Sequence, residues 1–169
     1  DAAFAPYRTT LGRVRVAIFA ADQVQDETTL RVFSAGPAQP GVANAYDPRL
    51  VDEVRKARRD GYVVVGYVHW GIEYQTCPSS DQMTLAGRLA DPGASAIIGT
   101  HAHVLQGAGW RTDGAYVAYG LGNYLWWRSF GNNQDDNGVL TLTFNHDRVT
   151  GAQFAPSRLD DRGVPVPAT

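Results

Sequence analysis

Three short apolar runs in the first hundred residues predict buried β-strands. They span Val14–Ala21, Tyr62–Val68 and Ala96–Gly99, and each is flanked by glycine or polar residues. Runs of this length without polar alternation are typical of parallel strands that are covered on both faces. Residues 1–13 are expected to be a polar lead-in. Residues 22–46, which contain Gly-Pro and Pro-Gly pairs, are expected to form a long loop.

Two segments between these runs have the spacing of amphipathic helices. Asp47 and Pro48 predict the start of the first, because aspartate caps helices and proline suits the first helical position. Ser79 or Ser80 caps the second, which is expected to run to about Ala90. Apolar positions recur on one face of each helix: Leu50, Val51, Val54 and Ala57, then Leu85, Ala86 and Leu89. Strand and helix therefore alternate as in βαβ units.

The last third of the chain has shorter apolar stretches separated by turn residues, which predicts antiparallel strands. Four are expected, with the last two joined by a hairpin turn at residues 145–148: Ala115–Tyr119, Tyr124–Trp127, Val139–Phe144 and Val149–Phe154. The fold class is therefore α/β, with βαβ units followed by antiparallel strands. The 169 residues are enough for a single domain with its own core.

Composition excludes several classes of function. The formal net charge of -2 leaves no basic surface, so nucleic acid is not an expected partner. No apolar run is long enough to span a bilayer as a helix. Cys77 is the only cysteine, so the chain has no internal disulfide, and the lack of a basic neighbour argues against a catalytic thiol.

Three of the four histidines form two clusters with the chemistry of a metal site. His69 directly follows the second apolar run, and His101 and His103 directly follow the third. Open α/β sheets bind ligands beyond the carboxyl ends of their strands, and neutral imidazole is the commonest protein ligand for transition metals. We therefore expect the three rings to converge; the alternative is a set of histidines with ordinary hydrogen bonds. His146 lies in the predicted hairpin turn and is expected to be solvated.

Two further polar residues are candidates for catalysis. Glu73 either orients a ligand histidine, acts as a general acid or base, or forms a structural salt bridge with an arginine. Asn123 either turns toward the site and binds substrate or occupies a tight turn with left-handed backbone, and the turn is slightly favoured. Trp70, Trp126 and Trp127 either wall a pocket or, as is usual for aromatics at strand ends, belong to the core.

Three motifs together resemble one protein family. They are His69-Trp70-Gly71-x-Glu73-Tyr74, Gly99-x-His101-x-His103-x-x-Gln106 and Leu121-Gly122-Asn123-Tyr124, in this order. With them, the chain resembles the CapA family, the poly-γ-glutamate capsule-synthesis-like proteins of the calcineurin-like metallophosphatase superfamily, over roughly residues 1–165. The resemblance implies a partial metallophosphatase-like β-sandwich flanked by helices.

The same resemblance implies an incomplete metal site. By similarity, His69 and His101 bind one divalent ion and His103 binds the other, the ions being Mn, Fe or Zn. Family members also carry Gly-Asp, acidic and Asn-Asn-His motifs, and none of the three occurs in this sequence. The chain therefore resembles a C-terminal half, and a missing N-terminal segment is the expected partner that supplies the remaining Asp and Asn ligands. The chain alone is expected to bind metal weakly and to present an open sheet edge.

The resemblance also implies a function. It is that of a metal-dependent phosphoesterase-type protein with an anionic or phosphorylated substrate, linked to capsule or cell-envelope polymer biosynthesis. The alternative is a non-catalytic scaffold or polymer-binding partner of a membrane synthase complex, so enzymatic activity stays open. The implied location is the cell envelope, outside the cytoplasm, with membrane anchoring through the missing N-terminal segment.

Overall fold

The computed structural model describes residues 2–24 and 27–168, which form a mixed α/β fold with two sheets. The helices are α1 (Glu27–Phe33), α2 (Pro48–Arg59) and α3 (Ser80–Ala90), with a short 3-10 turn at Ala2–Phe4. The strands of the larger sheet are β1 (Tyr7–Leu11), β2 (Val14–Asp22), β3 (Val63–Trp70), β4 (Ala94–His101), β5 (Ala108–Trp110) and β6 (Tyr116–Ala118). The smaller sheet consists of β7 (Asp136–Asn145), β8 (Arg148–Leu159) and β9 (Pro165–Pro167).

The centre of the larger sheet is parallel, as the apolar runs predict. Its strand order is β1-β2-β3-β4-β6-β5, with β2, β3, β4 and β6 parallel and the two edge strands antiparallel to their neighbours. Helix α2 connects β2 to β3 and α3 connects β3 to β4, which confirms the βαβ units. Strands β3 and β4 run on to Trp70 and His101, beyond the predicted ends, because the two strands stay paired up to this position.

Both predicted helix starts are confirmed by their caps. The Asp47 carboxylate accepts a hydrogen bond from the Arg49 backbone N–H at 2.9 Å, and Pro48 takes the first helical position. Of the two serines proposed for α3, Ser79 is the cap. Its hydroxyl accepts from the Gln82 N–H while the Gln82 side chain accepts from the Ser79 N–H, a complete capping box.

The larger sheet is covered by helices on one face and by the smaller sheet on the other. Leu50 of α2 and Leu85 of α3 share one core with the strand residues Val64, Val68 and Ile97. On the other face, the strand residues Val16, Val63 and Ile98 share a core with Leu142 of β7 and Val149 of β8. The sandwich flanked by helices is therefore present, since each β2–β4 strand buries alternate residues in two different cores.

The smaller sheet covers only the first half of β3. Val63 and Val65 are buried beneath it, but Tyr67 and His69, which share their face by strand alternation, are exposed. The carboxyl ends of the central strands therefore remain open to solvent on this face. This is the end of the sheet where the sequence places the histidines.

Several sequence predictions about the flanking segments are wrong. The polar lead-in contains β1, and the long loop contains α1. Ala115–Tyr119 contains β6, which is parallel to β4 and belongs to the larger sheet. Tyr124–Trp127 has no partner strand and runs as a series of bends despite its aromatic content. By contrast, β7 and β8 form the predicted hairpin, with Asn145 paired to Arg148 across the turn.

The expected open sheet edge at Val14–Ala21 is also wrong. Strand β1 pairs with β2 from Tyr7↔Ile18 to Leu11↔Val14. Beyond that, Asp22 exchanges backbone hydrogen bonds with Ala43 and Ala45, which cover the end of β2. Strand β1 was missed because its composition, Tyr-Arg-Thr-Thr-Leu, is mostly polar and its side chains are mostly exposed.

Candidate metal centre

The three predicted histidines meet at the carboxyl ends of β3 and β4. The ring centroids of His69 and His101 are 4.6 Å apart, and those of His101 and His103 are 6.0 Å apart. Regular alternation would place His101 on the opposite face from His69, because His101 pairs with Trp70 and His69 pairs with Thr100. The backbone of His101 breaks this alternation.

The break is a left-handed backbone conformation at residues that are not glycine. His101 has a φ of +94°, His103 a φ of +57° and Tyr74, from the neighbouring loop, a φ of +66°. Such conformations cost on the order of 1–3 kcal/mol each and persist where the surrounding structure holds them. Such strain tends to cluster at functional sites, so its concentration around three imidazoles supports this end of the sheet as the candidate site.

Glu73 adds a carboxylate to this site. One ligand atom each from Glu73, His101 and His103 lie within 4.8 Å of one another, which is consistent with metal use. Among the described residues no arginine forms an ion pair with Glu73, so the salt-bridge alternative is not supported. Its charge instead acts on Tyr74, where it is the main cause of a raised phenol pKa. Two nitrogens and one oxygen suit a divalent transition metal, so the residues present fit such an ion.

Asn123 holds the ring of His103. Its Oδ1 lies 2.7 Å from His103 Nδ1, and its Nδ2 donates to the backbone oxygens of His103 and Gln134 at 3.3 and 3.1 Å. Because an amide oxygen only accepts, Nδ1 carries the proton and Nε2 keeps its lone pair for a ligand. The left-handed residue of this turn is Gly122, with a φ of +74°, and Asn123 itself has no positive φ.

The surroundings of His101 favour the neutral ring that metal binding requires. Burial is the largest cause of its lowered pKa, and the nearby His69 and His103 act in the same direction. Glu73 and Asp22 oppose this shift without reversing it. A neutral imidazole offers a lone pair at neutral pH, so no proton has to be displaced.

A buried pair of glutamines supports the loop that carries Glu73. Gln82 Nε2 donates to Gln106 Oε1 at 2.8 Å, and Gln106 Nε2 donates to the Gln75 carbonyl at 2.8 Å. The Gln82 side chain also accepts from the Ser79 N–H in the capping box of α3. One network of hydrogen bonds therefore joins the helix start, residues 71–79 and the segment after His103. The Ser-x-x-Gln spacing of the capping box was the sequence signal for Gln82, but nothing in the sequence indicated its pairing with Gln106.

The tryptophan and two glycines of the motifs have structural roles. Trp70 is fully buried and its Nε1 donates to the Tyr119 carbonyl at 2.8 Å, which confirms the core alternative for this residue. A Cβ on Gly99 would lie 1.9 Å from that nitrogen. Gly71 has a φ of +93°, and a Cβ there would lie 2.8 Å from the Gln82 amide. These glycines let the backbones approach closely under the site.

Trp126 and Trp127, the other two tryptophans considered in the sequence analysis, lie outside the core. Trp126 is half-buried with its ring centroid 5.1 Å from that of His103, and Tyr74 stacks near the same imidazole at 6.3 Å. Trp127 is exposed to solvent. His146 lies exposed in the hairpin turn, as predicted, and Cys77 is also exposed.

A cavity of about 380 Å³ opens beside His69. Its polar lining comes from Asp22, His69, Tyr67 and Thr100, and much of the rest is alanine and glycine. Asp22 is the partner of His69 in the parallel register of β2 and β3, and it accepts a hydrogen bond from the Val24 N–H at 2.8 Å. Sequence reasoning missed Asp22, because a single aspartate at a strand end has no distinctive spacing.

The fold and the site define a mixed α/β protein with a candidate metal centre at the carboxyl ends of parallel strands. Residues 1–126 match the protein family described as bacterial capsule synthesis protein PGA_cap, and the chain belongs to this family. This confirms the CapA resemblance inferred from the motifs.

Two relatives agree with this assignment. The chain is 32% identical over 103 residues to "PGA biosynthesis protein CapA" of Bacillus subtilis (strain 168), a match that covers 61% of the chain and 27% of the relative. It is 34% identical over 117 residues to "Capsule biosynthesis protein CapA" of Bacillus anthracis, which covers 62% of the chain and 28% of the relative. The matched part is thus little more than a quarter of either relative. Among the described residues, no helix is both long and apolar enough to cross a membrane.

Proposed function

We propose that this chain carries part of the metal site of a CapA-like, metal-dependent phosphoesterase-type protein that acts in capsule or cell-envelope polymer biosynthesis. The observation that carries the proposal is the convergence of His69, His101, His103 and Glu73, with left-handed backbone at His101 and His103. The names of the two relatives, which refer to PGA and capsule biosynthesis, support the biological setting.

His101, His103 and Glu73 would hold one divalent ion, and His69 would serve a second one. The grouping of the first three residues favours this division over the one that the resemblance implies, in which His69 and His101 share an ion and His103 binds the other. Bound ions would neutralise phosphate oxygens and lower the pKa of a water molecule. Asn123 keeps His103 in one tautomer, and Trp126 and Tyr74 restrict the rotation of its ring. The cavity beside His69 offers room for the group that is attached to a phosphoryl centre, with the Asp22 carboxylate at its rim.

We also propose that further oxygen ligands come from a segment of the same protein outside this chain. Three imidazoles and one carboxylate are too few for two hard divalent ions, which prefer several oxygen ligands. The relatives are much longer than the matched region, so they have chain available for this role. The proposal has three further parts: the protein lies outside the cytoplasm, it is anchored to the membrane through that segment, and it contacts a membrane synthase complex.

Metal content and hydrolysis by the full-length protein test the proposal. We expect close to two ions per chain by mass spectrometry of metals, and manganese- or zinc-dependent hydrolysis of phosphomonoester and phosphodiester nitrophenyl substrates. His101→Ala and His103→Ala should lose both properties, whereas the matched control His146→Ala should lose neither. The 169-residue chain alone should bind metal weakly.

Two outcomes would contradict parts of this proposal. Metal binding without hydrolysis of any phosphoester would support the alternative, a non-catalytic scaffold or polymer-binding protein. Two fully occupied ions in the 169-residue chain alone would show that no ligands from outside are needed. Unchanged metal content in both histidine variants would show that these histidines do not bind the metal.

A further inference from the structure

A loop of exposed aromatic and apolar residues lies beside the candidate metal centre. It comprises residues 124–130, here called the aromatic loop, with the sequence Tyr-Leu-Trp-Trp-Arg-Ser-Phe. The exposed fractions are 52% for Tyr124, 67% for Leu125 and 72% for Trp127. Its remaining tryptophan, Trp126, packs against His103, so the loop adjoins the site. Apolar side chains as exposed as these are unusual when they are contiguous.

Hydrogen bonds to the residues beneath it fix the backbone of the aromatic loop. The buried Asp135 carboxylate accepts hydrogen bonds from the Ser129 hydroxyl at 2.8 Å and from the backbone N–H groups of Phe130 and Gly131 at 2.7 Å each. The backbone N–H of Trp126 donates to the Gly163 carbonyl at 3.0 Å. These hydrogen bonds fix the backbone of the loop, which presents the side chains to solvent in this chain.

The charge of this segment narrows the choice of partner. Arg128 is the only charged residue between positions 124 and 134, and its guanidinium lies over the rings of Trp127 and Phe130 at 4.4 and 4.9 Å. An anionic polymer would need several cations, and a sugar would gain little from the exposed Leu125. Tryptophan and tyrosine with a leucine and one arginine match the boundary between lipid headgroups and acyl chains.

We propose that the aromatic loop binds the interface of a lipid bilayer that contains anionic headgroups. Leu125 and Trp127 enter the acyl boundary, Tyr124 stays at headgroup level, and Arg128 pairs with lipid phosphate. Because Trp126 contacts His103, a docked loop brings the candidate metal centre close to the membrane surface.

Vesicle sedimentation of the 169-residue chain tests the proposal. With vesicles of equal parts phosphatidylglycerol and phosphatidylcholine, we expect binding and a blue shift of tryptophan fluorescence. Leu125→Ser and Trp127→Ser should each lower the partition coefficient about tenfold or more, since each removes one inserted apolar side chain. The matched control is Trp110→Ser, an exposed tryptophan (49%) beside the amino end of β6, at the opposite end of the sheet. It should bind like the unaltered chain.

Further measurements make the result decisive. Arg128→Gln should abolish the preference for phosphatidylglycerol over pure phosphatidylcholine vesicles, and circular dichroism should show that every variant is folded. Equal binding by the Trp127 and Trp110 variants would overturn the proposal. So would a dimer in solution that is lost in Leu125→Ser without any vesicle binding, which would assign the loop to self-association. No metal or hydrolysis enters these assays, so they are independent of the proposed function.

Discussion

Asn123 Oδ1 lies 2.7 Å from His103 Nδ1 and thereby fixes which nitrogen of that imidazole faces the candidate metal centre. The two residues are twenty positions apart in sequence and belong to different loops. A second bond, from Asn123 Nδ2 to the Gln134 carbonyl, anchors the amide so that its oxygen cannot turn away. The pair is therefore a positioning device for one ring, a common arrangement behind histidine ligands.

Replacing Asn123 should release this ring. In Asn123→Ala we expect a mixture of His103 tautomers in nitrogen NMR spectra and zinc affinity lower by about tenfold or more, the usual effect of losing such a partner. Asn133→Ala, an exposed asparagine nearby, is the control and should change neither. An unaltered tautomer in Asn123→Ala would show that the hydrogen bond does not govern the ring.

Glu73→Gln should discriminate between metals. The change keeps the size of the side chain but removes the negative charge that lies within reach of His101 and His103. Manganese depends on oxygen ligands more than zinc does, so we expect a loss of manganese affinity of about tenfold or more and a smaller loss for zinc. Calorimetric titration of the full-length protein measures both, with Glu53→Gln on α2 as the control. Equal losses for the two metals would argue for an indirect role of Glu73.

Gly99→Ala should destabilise the fold beneath the site. The new Cβ would lie 1.9 Å from Trp70 Nε1 and 2.2 Å from the Tyr119 carbonyl oxygen, so the buried indole or the strand must move. We expect a loss of about 2–3 kcal/mol in the free energy of unfolding by urea. The matched control is Gly109→Ala, where no atom lies within 4 Å of the added carbon. Similar stabilities for the two variants would contradict the close packing described here.

Asp135 should make the aromatic loop sensitive to acid. Burial raises the pKa of its carboxyl, but the hydrogen bonds from Phe130, Ser129 and Gly131 outweigh it, and the pKa lies below the ordinary value of 3.8. Because the folded pKa is lower than the unfolded one, the stabilisation is complete above about pH 4 and is lost as the pH falls through the folded pKa.

Asp135→Asn should cost about 1–3 kcal/mol of unfolding free energy at neutral pH and remove this part of the acid dependence. Urea denaturation at pH 7 and at about pH 3 measures both effects. The exposed Asp161→Asn is the control and should retain the acid dependence. An Asp135→Asn variant with unchanged acid dependence would show that other carboxylates account for it.

Local patterns predicted much of the fold. The apolar runs located β2, β3 and β4, and the Asp-Pro pair and the Ser79 or Ser80 cap located the starts of α2 and α3, because these features depend on residues within one or two turns. They failed where side chains were polar, as in β1, or where an aromatic segment had no partner strand, as at residues 124–127.

The sequence by itself indicated which end of the sheet carries the candidate site, because His69, His101 and His103 follow runs that are typical of buried parallel strands. Only the tertiary structure decided how these residues act together. The left-handed φ of His101 brings its ring to His69, and Asn123 orients His103 from twenty residues away. Neither the His101 conformation nor the Asn123–His103 contact can be predicted from the local spacing of residues. Each depends on backbone strain or on contacts between distant segments, which form when the sheet and its loops pack.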